Sequence, residues 1–346
     1  MFKIIIQKKG AGDKAVTANY LSIIKKGCER AGAECEYAGY KQSLDKRNDV
    51  IITDVAQIAL YYMLRGYKNN IAWYQGVVPE ESYMRNNSTP RYIIHSLIEF
   101  VTLRKCRLIF LVSTDMLKHY EKKYRVRLGD KAIIMPCFNE CNIYGDSFSE
   151  EDKYRNNTFV YVGSLKAWQC FEETIYIYKE IEKRAESPTK FFVYTMQIKE
   201  AEDLLDKYGV KNYEVSYVCP DKLNEALKTI KYGFVLREDT AVNNVATPTK
   251  LSNYLANGII PIYSNSLHSY DEFNRDNSFG IACDLNDTET SIRNILEHME
   301  TEISVDTARS KCLAVFDEYY NPERYINKIA EKILLFSYLI YKDNKN

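Results

Sequence analysis

The sequence predicts an α/β protein built from two domains, each containing a parallel sheet. Three observations support this prediction. The chain has 346 residues, which at roughly 150 residues per domain is enough for two hydrophobic cores. Short β-branched runs alternate with helical patterns in both halves, as in βαβ units. The alternation stops at a polar stretch in mid-chain and then begins again.

The composition is that of a folded protein without a membrane span. Hydrophobic residues make up 46% of the chain and charged residues 27%, and no run approaches the roughly 18 apolar residues that would cross a bilayer. The first residues lead directly into a strand and do not resemble a secretory signal. Nine cysteines without C-x-x-C spacing fit reduced thiols rather than a zinc site or a disulfide framework. We therefore expect a cytoplasmic protein.

The net charge of zero conceals an uneven distribution. Residues 1–140 carry 23 Lys and Arg against 14 Asp and Glu, a net charge of +9, and the rest of the chain carries −9. Basic residues are densest from Arg104 to Lys131. Such a surface could face anionic lipid, nucleic acid or a phosphorylated substrate, or it could be an ordinary solvated face.

The first predicted domain, residues 1–140, contains six strands and four helices. The strands are short β-branched runs, placed at Phe2–Gln7, Ala33–Tyr37, Val50–Thr53, Asn70–Tyr74, Arg107–Val112 and Ala132–Met135. The helices have apolar residues at steps of three and four, and are placed at Lys14–Ala31, Ala56–Arg65, Arg91–Lys105 and Thr114–Lys123. The polar segment 141–157 has no apolar period and is predicted to be a linker.

The second predicted domain, residues 158–321, repeats the alternation. Its strands are placed at Thr158–Val162, Phe191–Thr195, Tyr213–Tyr217, Gly233–Arg237 and Ile259–Tyr263. Its helices are placed at Ala167–Ala185, Thr249–Ala256 and Val305–Tyr320. A final helix is predicted at 322–341, because Asn321 can cap it and Pro322 suits a first helical turn.

Two loops in the first domain have residues suited to ligand binding. Gly10 and Gly12 lie at a strand-to-helix turn, where backbone amides can approach an anion; Ala15 replaces the third glycine of G-x-G-x-x-G, and the turn could equally be structural. A second loop, at the carboxyl end of a strand, carries polar side chains beside a glycine and is a candidate acceptor-side site. Its candidate residues are Gln75, Gly76, Glu80 and Glu81. The alternative is a loop that packs on its own domain.

The second domain contains a stronger candidate site. Gly163 and Ser164 follow its first strand, where a glycine again permits close backbone approach to a ligand. A later strand delivers Arg237 at its carboxyl end, and a polar loop leads to a helix that begins at Thr249 and Lys250.

The helix amides, the Thr249 hydroxyl and the Lys250 ammonium together suit a diphosphate. Arg237 can add a fork of donors to the same oxygens. Asn253 lies on a similar face of the helix, where its amide could bond a sugar hydroxyl.

The run Pro248-Thr249-Lys250-Leu251, continued by Tyr254-Leu255-Ala256 and Gly258, resembles family 4 of the glycosyltransferases, which have the GT-B fold. The resemblance implies two Rossmann-like domains facing a central cleft. It also implies a nucleotide-sugar donor held by the second domain, an acceptor held by the first, retention of anomeric configuration, and a last helix that packs back on the first domain.

The resemblance assigns roles to individual residues. Arg237 and Lys250 would be catalytic. Donor-binding residues would be Gly163, Ser164, Thr249, Leu251, Asn253, Gly10 and Gly12. The sequence departs from the family pattern where two glutamates are usual, since Val245 and Asn253 occupy those positions. Ser164 and Gln169 stand where the family often has an arginine and a lysine.

The expected function is therefore transfer of a hexose-like sugar from a UDP- or GDP-linked donor to a glycan or lipid-linked acceptor, in the biosynthesis of surface polysaccharides or glycoconjugates. No cofactor and no nucleic-acid partner are expected. No metal is expected either, because no D-x-D pair is available to clamp a metal against a diphosphate. The basic face of residues 1–140 suggests attachment to an anionic membrane at its inner surface. Two alternatives are a nucleotide-sugar epimerase on the same fold and a non-catalytic sugar-nucleotide-binding subunit.

Overall fold

The chain divides into two compact units. A computed structural model describes residues 3–8, 15–39, 45–150 and 152–343. Unit 1 comprises Met1–Cys137, Asn244–Thr247 and Asn321–Asn346, and unit 2 comprises Phe138–Asn243 and Pro248–Tyr320. Each unit contains a six-stranded sheet in which all neighbouring strands are parallel. The predicted α/β class is confirmed.

Unit 1 is a parallel sheet with strand order β2-β1-β3-β4-β5-β6. Its strands are β1 Lys3–Lys8, β2 Glu34–Gly39, β3 Val50–Thr53, β4 Asn69–Tyr74, β5 Leu108–Leu111 and β6 Ala132–Ile134. Its helices are α1 Ala15–Arg30, α2 Ala56–Leu64, α3 Val78–Asn86, α4 Thr89–Lys105, α5 Thr114–Tyr124 and, at the end of the sequence, α14 Pro322–Asp343. Every residue of β3, β4 and β5 is buried, as in a sheet covered on both faces.

Helix α14 packs on α1 within unit 1. A Cβ atom at Gly27 of α1 would lie 2.6 Å from Cβ of Ile329, so a larger residue there would push the two helices apart. At the end of α1, the Arg30 guanidinium donates to Glu323 at 2.8 Å and to Asn327 at 2.7 Å.

Unit 2 has strand order β12-β11-β10-β7-β8-β9. Its strands are β7 Asn157–Val162, β8 Thr189–Tyr194, β9 Tyr213–Ser216, β10 Tyr232–Val235, β11 Ile260–Ser264 and β12 Ile281–Cys283. Its helices are α6 Phe171–Arg184, α7 Ile198–Tyr208, α8 Leu223–Leu227, α10 Lys250–Ala256, α11 His268–Asn277, α12 Thr288–Met299 and α13 Val305–Glu318, and the short α9 Ala241–Asn244 ends where the chain enters unit 1.

The structure adds β12, α7, α8, α9, α11 and α12 to the predicted elements and changes two others. The candidate loop after β4 becomes helical at Val78, because Pro79 in the first turn fixes a helical φ and the two following glutamates favour a helix N-terminus. The helix predicted over 167–185 is interrupted at Cys170, which adopts φ 51°, so α6 begins at Phe171.

The segment 141–157, expected to be a linker, packs within unit 2. Ser147 and Lys153 are buried. The Lys153 ammonium donates to the carbonyls of Asn257 and Ser147, and the Tyr154 hydroxyl donates to the carbonyl of Gly258 at 2.7 Å. These bonds fasten the segment to the turn between α10 and β11, so the polar composition does not indicate a free connection.

No helix in the described part of the chain is long and apolar enough to cross a membrane.

Candidate functional site

The sheet of unit 2 changes direction between β7 and β10. From β7 the chain proceeds outward through β8 and β9, and then returns to place β10 on the other side of β7. In open parallel sheets, ligands bind at the carboxyl ends of the two strands that flank such a switch. Gly163 directly follows β7 and Arg237 follows β10, so the structure brings two predicted site residues to this position.

Lys250 places its ammonium group against Gly163. The Nζ atom donates to Oε1 of Gln169 at 2.7 Å and lies 4.8 Å from the ring centroid of Tyr161. Lys250 as a whole keeps some exposed surface, but its ammonium end is enclosed. Burial lowers the pKa of Lys250 well below its ordinary range, and the positive charge of Arg237 lowers it further.

Hydrogen bonds to its backbone and side chain fix the position of Arg237. Its N–H donates to the Ser264 hydroxyl at 2.8 Å, its carbonyl accepts from the Ser266 hydroxyl at 2.9 Å, and Nη1 donates to the carbonyl of Leu236 at 2.7 Å. The residue is only 7% exposed, and burial lowers the pKa of its guanidinium. Within the described residues, neither Arg237 nor Lys250 has a carboxylate within ion-pair distance, although Glu173, Glu238, Asp239 and Asp284 line the cavity beside Arg237.

A cavity of about 380 Å³ adjoins Arg237. Its lining comes from the carboxyl-end loops of β10, β11 and β12 and from the first turn of α6. The lining residues are Glu173, Arg237, Glu238, Asp239, Thr240, Asn265, Ser266, Asp284, Leu285 and Asn286. Carboxylates, amides and hydroxyls of this kind hydrogen-bond a polyhydroxylated ligand. The sequence analysis identified only Arg237 among them.

The other residues predicted to bind the nucleotide-sugar donor differ in their contacts. Thr249 precedes α10, a helix of seven residues, and its side chain makes no capping bond. Leu251 is buried and its N–H donates to the carbonyl of Pro248 at 3.2 Å, so it contributes to the core. Oδ1 of Asn253 accepts from Asn139 at 3.1 Å. The carbonyl of Ser164 accepts from the Tyr161 hydroxyl at 2.7 Å. Their roles in donor binding stay predictions.

Unit 1 has its own switch point, between β1 and β3. Gln7 and Thr53 are paired in register at the carboxyl ends of these strands. Gln7 is 1% exposed and Thr53 is fully buried. Among the residues that the structure describes, neither the Gln7 amide nor the Thr53 hydroxyl has a hydrogen-bond partner, which is costly for buried polar groups. Gly10 and Gly12, predicted to contact donor in this region, lie outside the described residues.

The predicted acceptor residues after β4 are engaged within unit 1. Oε1 of Glu80 lies 2.8 Å from Nζ of Lys123 and 3.2 Å from Nε2 of His119. Burial raises the pKa of Glu80, but these partners outweigh it and hold that pKa below its usual value. These contacts tie α3 to α5, so Glu80 has a structural role in the unliganded chain.

The other three residues of this group are less constrained. Burial raises the pKa of Glu81, whose nearest basic partner is Arg85 at 3.6 Å. The carbonyl of Gly76 accepts from the Tyr120 hydroxyl at 3.0 Å, and a Cβ there would overlap the Glu81 carboxylate. Gln75 donates to the carbonyl of Asp54 at 3.4 Å. Acceptor contact by these residues stays a prediction.

Across the described ranges, no group of three or more His, Cys, Asp or Glu side chains is arranged to hold a metal ion.

Comparisons with known proteins give structural matches only. No protein-family model and no curated protein sequence matches the chain. A TarM mutant from S. aureus, in complex with fondaparinux, α-GlcNAc-glycerol and UDP, aligns with a TM-score of 0.62 at 10% identity, covering 84% of this chain and 56% of TarM. The chain thus spans about half the length of that protein.

Two other structures match over nearly their whole length. The α,α-trehalose-phosphate synthase (UDP-forming) from Burkholderia vietnamiensis has a TM-score of 0.64 at 9% identity, with coverage of 96% of this chain and 97% of the synthase. WaaG, a glycosyltransferase involved in lipopolysaccharide biosynthesis, has a TM-score of 0.61 at 14% identity, with coverage of 94% and 99%. This chain therefore has the GT-B fold, as its resemblance to family 4 implied.

Proposed function

We propose that the chain is a glycosyltransferase that moves a sugar from a nucleoside-diphosphate donor to a glycan or lipid-linked acceptor. One observation carries the proposal: Arg237 and Lys250 lie enclosed at the switch point of unit 2 with no carboxylate partner. Such charges are costly to bury, and a diphosphate would supply the missing counter-charge. The structural neighbours include a UDP-forming synthase and a TarM complex containing UDP, so UDP is the first nucleotide to test.

The two cations would act on the leaving group. In the transfer, the bond between the sugar C1 and the β-phosphate oxygen breaks, an acceptor hydroxyl oxygen forms the new bond to C1, and the acceptor proton is released. Negative charge develops on the departing nucleoside diphosphate. Arg237 and Lys250 would stabilise this charge, which supports the proposal of a metal-independent transfer. Retention of configuration follows from the family resemblance and is part of the proposal.

The cavity beside Arg237 suits the hydroxyl-bearing parts of the donor. Its amides and carboxylates offer both donors and acceptors to a ribose or a transferred sugar. Thr249 and Asn253 would add a hydroxyl and an amide on the other side of Lys250. Gly163 would allow the diphosphate to approach the backbone closely.

We place the acceptor on unit 1. The buried amide of Gln7 and hydroxyl of Thr53 lack partners, and both could bond sugar hydroxyls. Gly10 and Gly12 follow Gln7 in the sequence. The involvement of WaaG in lipopolysaccharide biosynthesis supports a role in a surface glycoconjugate pathway. We propose that the protein acts at the cytoplasmic face of a membrane.

Ligand binding and turnover test the proposal separately. Thermal unfolding with UDP, GDP and ADP should reveal one stabilising nucleotide, because a ligand at 100 times its dissociation constant adds about 2.7 kcal/mol. Its sugar conjugates should then be consumed only when an acceptor is added. Consumption of donor without acceptor would indicate an epimerase, and binding without turnover over a broad acceptor panel would indicate a binding subunit. No stabilisation by any nucleotide would refute the donor site.

Lys231→Met provides a matched control for Lys250→Met. Lys231 is also a buried lysine of unit 2. It precedes β10 and therefore lies at the end of that strand opposite to Arg237 and the proposed phosphate site. The nucleotide response should survive in Lys231→Met and disappear in Lys250→Met. Loss of the response in both variants would indicate general damage to unit 2 instead of a lost phosphate contact.

A further inference from the structure

Helix α4 exposes a stripe of apolar side chains on successive turns. Ile93, Ile94, Leu97 and Val101 are all exposed, Ile94 by 57% and Leu97 by 59%. Their spacing of three and four residues places them on one side of the helix. We call these four residues the α4 face. A contiguous exposed apolar surface of this kind usually marks an interaction site.

Basic residues surround the α4 face. Exposed Arg91 lies in the first turn of α4, and Arg104 and Lys105 lie in its last turn. From Thr89 to Arg127 the sequence has nine basic and three acidic residues, a net charge of +6. One of the three acids, Glu99, is buried, so it contributes little negative charge to the surface.

Helix α5 packs beside α4 and carries further exposed lysines, of which Lys118 lies 3.5 Å from Asp115. The rings of Phe100 and Tyr124 lie 5.6 Å apart, and Nζ of Lys123 lies 3.3 Å from Glu99. These contacts fix α5 along the flank of α4. Its exposed residues include Lys118 and Lys122, which are one helical turn apart. The exposed Tyr83 of α3 packs against Tyr92 of α4, with ring centroids 5.9 Å apart.

We propose that the α4 face docks on an anionic lipid bilayer. Its apolar side chains would enter the boundary between headgroups and acyl chains, while the surrounding Lys and Arg side chains contact the headgroups. Helix α4 has 17 residues, too few apolar ones among them to span a bilayer, and would lie parallel to the surface. The positive charge favours this partner over a second copy, because self-association through the face would bring two +6 segments together.

This proposal goes beyond sugar transfer and rests on unit 1 alone. Sequence charge alone indicated a basic cluster from Arg104 to Lys131. The structure indicates a different surface, in which basic residues surround the exposed apolar side chains of the α4 face. The α4 face deepens the membrane location proposed above and rests on that part of the proposed function, whereas the donor site of unit 2 can stand or fail independently of it.

Vesicle co-sedimentation of the full chain tests the docking. The wild-type chain should bind vesicles of phosphatidylcholine mixed with phosphatidylglycerol, bind phosphatidylcholine alone much more weakly, and be released as salt approaches about 1 M, where screening acts within about 3 Å. Ile94→Glu combined with Leu97→Glu should lower the partition coefficient at least about tenfold, since apolar burial is lost. Lys118→Glu with Lys122→Glu should lower it roughly 25-fold, at about fivefold per lysine.

Matched controls come from unit 2. Met196→Glu removes an 82% exposed apolar side chain, and Lys199→Glu with Lys207→Glu reverses two charges of α7; both should bind vesicles like wild type. All variants should keep the far-UV circular dichroism spectrum and the urea unfolding midpoint of wild type, which shows that they are folded. Wild-type binding by the Ile94→Glu, Leu97→Glu variant would overturn the proposal. So would a lipid-free dimer of the wild type that this variant converts to monomer by sedimentation equilibrium.

Discussion

Lys250 occupies the space in front of Gly163: a Cβ atom at position 163 would lie 2.9 Å from Nζ and 3.1 Å from Cε of that lysine. Gly163 also has φ 139°, a backbone conformation that residues with a Cβ rarely adopt. The glycine therefore allows both the turn after β7 and the position of the ammonium. We consider this pair the centre of the candidate phosphate site.

Gly163→Ala should reduce stability and abolish the nucleotide response. The strained φ costs on the order of 1–3 kcal/mol, and the new methyl group displaces Lys250. Gly209→Ala is the matched control, because Gly209 has φ 73° and a Cβ there would approach nothing closer than 3.8 Å. It should lose stability by about 1 kcal/mol and still respond to nucleotide in thermal unfolding. A nucleotide response preserved in Gly163→Ala would show that the lysine is not needed there.

Lys250→Met should reduce turnover by on the order of 10²–10³, the usual effect of removing one preorganised electrostatic donor. The same variant should be at least as stable as wild type without ligand, because it removes an enclosed charge that has no carboxylate partner. Steady-state kinetics and urea unfolding measure the two effects. A marked loss of stability without ligand would mean that the hydrogen bond to Gln169 and the contact with the Tyr161 ring already stabilise the ammonium group.

The stabilising effect of Lys153 should increase as pH rises from 7 to 9. Burial lowers the pKa of Lys153 to about 7, against about 10.4 when unfolded. In this range the unfolded chain binds the proton and the folded chain does not, so the free energy of unfolding rises with pH. The difference between wild type and Lys153→Met should grow by at most about 1.4 kcal/mol per pH unit. Urea unfolding at several pH values measures it, and a constant difference would exclude the depressed pKa.

Glu80→Gln should reduce stability by about 1–3 kcal/mol, since Lys123 and His119 lose a buried carboxylate partner. The KM for acceptor should remain unchanged if the carboxylate serves to join α3 to α5. Glu81→Gln is the control, because Glu81 lies no closer than 3.6 Å to its basic partner, and it should lose less stability. A raised acceptor KM with unchanged stability would instead establish Glu80 as an acceptor ligand.

Turnover should persist in excess EDTA. The positive charges of Arg237 and Lys250 are proposed to neutralise the leaving diphosphate, and the sequence has no D-x-D pair. The control is a glycosyltransferase that requires a metal, assayed in the same buffer. Activity that disappears with EDTA and returns with Mg²⁺ or Mn²⁺ would refute metal independence.

Eleven of the twelve strands in the described residues were predictable, because most of them are short buried runs rich in β-branched or aromatic residues. Strand β12 was not predicted, since its three residues Ile281–Cys283 are too few to show a pattern. Helix α3 was not predicted; a loop was expected after the strand, although Pro79 is compatible with a first helical turn. Lys153 lies in the predicted linker but is buried, because the carbonyls of Asn257 and Ser147 accept hydrogen bonds from its ammonium group.

Arg237 and Lys250 were identified as candidates because both residues follow recognisable features, a strand end and a helix start. Gln7 and Thr53 were missed for a physical reason. They come together only through the register of β1 with β3, and cross-strand register in a parallel sheet is set by tertiary packing rather than by the local sequence. The cavity beside Arg237 likewise draws its lining from four separate segments of the chain.

The packing of α14 on α1 affects the order in which the molecule can form during synthesis. Helix α1 is translated before unit 2, whereas Ile329 of α14, which lies against Gly27, is translated after unit 2. Until then α1 has no partner on that side, while all of unit 2 has already been translated. A nascent or truncated chain therefore presents an uncovered apolar helix surface, which favours aggregation or chaperone binding. Synthesis of α14 would itself be the step that covers α1.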